Sequence, residues 1–109
     1  MPVVTAILGP TFAPAADAVE RFTIAVTQHC LAIMHAPPDK VQVQVLQAIA
    51  PLHGAPVYLQ VQYRHQPSSE AAMMDIFMAA LEAACIEAFQ ATPRLRCFPQ
   101  HNDQLFARN

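Results

Sequence analysis

VYLQVQYR, residues 57–64, alternates with period two. Val57, Leu59, Val61 and Tyr63 fall on one face, and Tyr58, Gln60, Gln62 and Arg64 on the other. Side chains of a strand alternate between the two faces of a sheet, so this spacing predicts a strand with one buried face. Ten residues upstream VQVQVLQ, Val41–Gln47, repeats the pattern and predicts a second half-buried strand. Between them APLHGAP, Ala50–Pro56, carries turn residues.

Working outward, each strand has a helix beside it. Downstream, QPSSE leads into a helix to about Ala91, with Ser68 or Ser69 as N-cap and Glu70 and Asp75 near its positive end. Its stripe is Met74, Phe77, Leu81, Cys85 and Ala88, and Thr92-Pro93 stops it. RLRCF, Arg94–Phe98, is a last short strand, followed by the polar tail HNDQLFARN. Upstream, Ala15–Met34 predicts a helix with the stripe Val19, Phe22, Val26, Cys30 and Ile33, which HAPPD ends. Before it, PVVTAIL (Pro2–Leu8) is β-branched and apolar, a strand broken by GPTFAP.

The order is therefore β-α-β, loop, β-α-β, in two halves of matching length, about 1–52 and 53–109, which reads as an internal duplication within one domain. A parallel strand pair joined through a helix takes a right-handed crossover. Two such units predict an α+β fold: a four-stranded sheet with both helices on one face. A ferredoxin-like arrangement of the same units is the rival fold. On the other face Gln42, Gln44, Gln60 and Gln62 either meet water or satisfy one another across a subunit interface.

Composition excludes several classes of function. Of 109 residues, 54% are hydrophobic and 13% charged, which rules out a disordered chain. So few charges leave an ordinary monomer surface poorly covered, which points to a buried interface between subunits. A net charge of −2 with six Lys or Arg offers no basic stripe for nucleic acid. No apolar run reaches a membrane span, and no basic segment opens a secretory signal. Cys30, Cys85 and Cys97, an odd number in apolar stretches, predict reduced, packed thiols and a cytoplasmic location. The histidines at 29, 35, 53, 65 and 101 have no i, i+4 pair and no CxxC beside them, so no metal site is expected.

Pro2 has two readings. Proline is tolerated at a strand start for its geometry alone. An initiator Met before a small residue such as Pro is normally trimmed, and a free Pro2 is then a secondary amine at the tip of an apolar strand. An α-amino group titrates near pKa ~8, and burial lowers it toward neutrality. Such a base can move a proton on carbon α to a carbonyl.

MPVVTAIL, LAIMHAPPDKVQVQV, YLQVQYR before a capped helix and the ending RCFPQHNDQLFARN together resemble the tautomerase superfamily over nearly the whole chain. The ending looks most like its hydroxymuconate isomerase and dehalogenase branches. The resemblance implies a homotrimer with sheets wrapped around a central barrel. It implies a cofactor-free keto–enol tautomerase or isomerase acting on a small 2-oxo or 2-hydroxy-enoic carboxylate. It makes Pro2 the catalytic amine and Arg64 the carboxylate anchor, since a guanidinium matches a carboxylate bidentately. It places Arg96 and Phe98, two apart on the last strand, where they reach a neighbour's site, and puts His29 near a histidine of the dehalogenase pattern. Asp39 falls close to an aspartate of the decarboxylase branch, or is a turn residue.

Departures from the pattern narrow the chemistry. Phe98 stands where relatives carry a hydrogen-bonding Tyr or Asn, and Pro67 where the dehalogenase pattern has a second Arg. Pro10-Thr11 and Gln42 replace arginines that serve dicarboxylates. A monocarboxylate with an apolar tail fits better. A Pro2-dependent dehalogenase or decarboxylase of a three-carbon acid is the alternative enzyme, and a non-enzymatic trimeric scaffold the alternative outside catalysis.

Overall fold

A computed structural model describes residues 2–50, 54–67 and 70–108. Six elements follow one another: β1 (Val3–Leu8), α1 (Ala18–Ala32), β2 (Gln42–Gln47), β3 (Val57–Arg64), α2 (Glu70–Phe89) and β4 (Arg94–Gln100). Single 3-10 turns lie at Pro38–Lys40 and Asn102–Gln104. The proposed caps Ser68 and Ser69, and Pro51–His53 of the central loop, lie outside the described residues.

The sheet order is β2-β1-β3-β4. β1 runs parallel to β2, with Val3 opposite Gln42 and Leu8 opposite Gln47. β3 runs parallel to β4, with Tyr58 opposite Arg94 and Arg64 opposite Gln100. β1 and β3 join the two units antiparallel, with Val3 opposite Gln62 and Leu8 opposite Val57. The strands of each β-α-β unit are direct neighbours. A ferredoxin-like split unit separates them by another strand, so this topology excludes that rival.

Both apolar stripes face the same side of the sheet. Phe22, Val26 and Cys30 of α1 and Phe77, Leu81 and Cys85 of α2 are fully buried against Val4, Ala6, Leu59 and Val61. Phe89 closes this core, its ring 5.0 Å from that of Phe22 and edge-on to Phe12 at 6.0 Å. The alternation in β3 holds throughout: Val57, Leu59, Val61 and Tyr63 are buried. The opposite face, free of helices, carries the glutamines. Gln44 Nε2 donates to Thr5 Oγ1 at 2.9 Å, and Gln42 Nε2 to Gln44 Oε1 at 3.3 Å.

Element ends depart from the sequence reading in two informative places. α1 begins at Ala18, not Ala15, because Ala15 is used in a turn, its carbonyl accepting the Ala18 N–H at 3.0 Å. β4 runs on through Pro99 to Gln100. An edge strand tolerates proline when the missing N–H points outward. Among the described residues no helix is long and apolar enough to cross a membrane.

Candidate active site

Antiparallel pairing brings the start of β1 to the end of β3. With Val3 opposite Gln62, the residue before it, Pro2, comes level with Tyr63. Pro2 is buried, and its carbonyl accepts the Gln42 N–H at 3.0 Å. The exit from α1 supplies the third wall. Ile33 N–H bonds His29 O at 2.9 Å, and Ala36 N–H reaches back to Cys30 O at 3.2 Å. Between them His35 takes a left-handed φ of 56°, which reverses the chain. The result is a cavity of about 100 Å³ lined by Pro2, Met34, His35, Ala36, Pro37, Tyr63, Arg64 and Gln66.

The charges in this cavity are unequal. Arg64 donates through Nη1 to Asn102 Oδ1 at 2.8 Å, in the turn that follows β4. Among the described residues it forms no ion pair, so its charge is held in place but not neutralised. Tyr63 is buried, which together with the nearby Glu70 carboxylate pushes its hydroxyl up to about 12. It therefore stays a neutral O–H donor at physiological pH. Glu70 accepts the Gln66 N–H at 3.3 Å and contacts His65 Nδ1 at 3.0 Å, pinning the loop that carries Gln66.

Of the residues singled out from the sequence, Pro2 and Arg64 meet in this cavity. The others lie elsewhere in the single chain. His29 is half-buried in the last turn of α1 and does not line the cavity. Arg96 and Phe98 lie on the helix-free face of β4, opposite Gln60 and Gln62, and Phe98 is 46% exposed. Arg96 lines a separate surface hollow of about 370 Å³ with Arg94, Asp75 and Glu82. Asp39 is exposed in the 3-10 turn after α1.

Tyr63, His35, Met34 and Gln66 complete the cavity without having been singled out for it. Tyr63 carries a signal in hindsight: it is the last apolar-face residue of β3, level with Pro2 once the two strands pair antiparallel.

The fold can be compared with known structures. A fused 4-OT, wild type symmetric trimer, superposes with a TM-score of 0.77 at 11% identity, covering 98% of this chain and 92% of that one. The chain shares the fold of that structure. A macrophage migration inhibitory factor-like protein from Entamoeba histolytica gives a TM-score of 0.73 at 7% identity, covering 98% and 95%. A domain of unknown function from Sebaldella termitidis gives 0.70 at 14%, again covering 98% and 95%. Neither a family model nor a curated protein matches the sequence. Identities this low show a shared fold alone, and one fold hosts many activities, so the reaction has to be argued from the cavity.

Proposed function

We propose that this chain is a cofactor-free keto–enol tautomerase acting on a small 2-oxo or 2-hydroxy-enoic carboxylate. The observation that carries the reading is the burial of Pro2 in the same cavity as Arg64, a guanidinium with no carboxylate partner among the described residues. With Met1 removed, Pro2 is a secondary amine among Met34, Ala36 and Pro37, surroundings that disfavour its cation. The Arg64 charge works in the same direction. The neutral amine accepts the enol hydroxyl proton, the 2-oxygen becomes a carbonyl, and the resulting ammonium returns a proton to carbon 3. Arg64 holds the carboxylate through that exchange.

The working form in this reading is a homotrimer, as the fused 4-OT neighbour is described. Arg96 and Phe98 then line the site of an adjacent copy. Phe98 has no hydrogen-bond donor in its side chain, so it packs against the substrate and does not activate water.

Ketonisation of phenylenolpyruvate, followed by ultraviolet absorbance, tests the reading. Pro2→Leu, before which an initiator Met is not trimmed, takes the amine out of the cavity and is expected to lower the rate by about 10²-fold or more, the range for losing a positioned acid–base group. An unchanged rate in the variant, or an intact wild-type mass that retains Met1, overturns the amine mechanism.

A further inference from the structure

His35 and Gln66 line two cavities at once. On one side lies the Pro2 cavity. On the other lies a groove of about 510 Å³ between the end of α1 and the first turns of α2. Ile33, Met73 and Ile76 form its apolar walls, with Ala32 and Ala72 at the rim. Ile76 is 61% exposed, while Met73 and Ile33 are half-buried.

The sizes decide what each can hold. The Pro2 cavity, about 100 Å³, has about a fifth of the groove's volume of about 510 Å³, so a ring or branched chain carried by the acid finds its room in the groove. The groove is several times larger and shares a wall with the cavity. Among the described residues His35 is its one titratable lining residue, so a second carboxylate would find no fixed cation from them there. Met73, unbranched and adaptable, suits a wall that has to fit apolar groups of different shape.

We propose that this groove receives the apolar substituent of the acid whose carboxylate sits on Arg64. The chain then selects monocarboxylates with a bulky aryl or branched alkyl group at carbon 3 over three-carbon acids and dicarboxylates. Met73 and Ile76 are the residues that set this preference. The inference rests on the Pro2–Arg64 cavity being a carboxylate site, as read above, but it does not depend on turnover.

Methyl NMR of the full-length protein, labelled at methionine and isoleucine, tests it with two unreactive probes. 3-Phenylpropanoate is expected to move the Met73 and Ile76 methyl signals, and acetate to leave them in place. In Ile76→Asp the ratio of phenylpropanoate to acetate affinity is expected to fall about tenfold, from lost apolar contact. No binding of phenylpropanoate, binding with both methyls unmoved, or an unchanged ratio in the variant each overturns the groove. Methyl shifts in a protein that shows no ketonisation would uphold the groove and remove the tautomerase. Ketonisation with unmoved methyls would do the reverse.

Discussion

Glu70 is the residue on which most of the site's polar order converges. Burial pushes its carboxyl up, but the Gln66 N–H, the Tyr63 hydroxyl and His65 outweigh that and hold it below its ordinary value. The sign of the effect on stability follows. A carboxyl lowered in the folded state contributes stability that is fully present above its unfolded pKa and is lost as pH falls through the folded value. Glu70→Gln keeps an acceptor for the Gln66 N–H but removes the charge. Its melting temperature is expected to lie below wild type at neutral pH, and the gap to close as pH falls below the ordinary glutamate value of ~4.3 and through the lowered folded one. Thermal melts across that range check this, and a gap independent of pH would exclude Glu70 as the titrating group. The thiols behave differently. Burial pushes Cys30, Cys85 and Cys97 up to about 11, so they pack as neutral side chains.

At the scale of elements, α2 shows why the core was legible in the sequence. Met74, Phe77, Leu81, Cys85 and Ala88 recur at the helical period, and all five are buried. Phe77 is completely enclosed, so Phe77→Ala is expected to cost about 3–5 kcal/mol in denaturant unfolding, with the fold retained only if the remaining stability allows. A cost under about 1 kcal/mol would mean that α2 does not pack as described. Local periodicity also gave both faces of β3, because alternation needs no knowledge of partners. The site was less legible for a physical reason. It forms where β1, β3, the α1 exit and the β3–α2 loop meet, and those meetings depend on register across the chain. Pro2 and Arg64 stood out by their chemistry. Tyr63 did not, because a residue at the end of a buried face looks like core until its antiparallel neighbour is known. His35 did not, because its left-handed turn belongs to the helix exit and not to a periodic pattern. The sequence pattern ends the last strand at Phe98, yet β4 runs through Pro99 to Gln100, because an edge position accommodates a proline.

At the scale of the whole molecule, the helix-free face of the sheet asks for a partner. Val3, Ile7, Leu46, Tyr58 and Phe98 share that face with the glutamines, and Leu46 and Phe98 are 49% and 46% exposed. Every charged residue that the strands place there is an arginine: Arg64, Arg94 and Arg96. Apolar and amide groups can be buried between copies at low cost when the amides pair, whereas a carboxylate there would need a partner. Light scattering is expected to give about three times the 11.9 kDa chain mass. Leu46→Asp discriminates between the states. In a monomer it changes a half-exposed edge-strand residue and costs little, within about 0.5 kcal/mol. In a trimer it buries an unpaired charge, so the assembly is expected to dissociate. The same variant then reports on the site. Leu46 does not line the cavity that holds Pro2 and Arg64, so a dissociated Leu46→Asp chain keeps both of them. If Arg96 and Phe98 complete the neighbour's site, ketonisation falls with the trimer although the protomer remains folded by circular dichroism. Full activity in a folded monomer would confine the chemistry to one chain and leave Arg96 and Phe98 without a part in it.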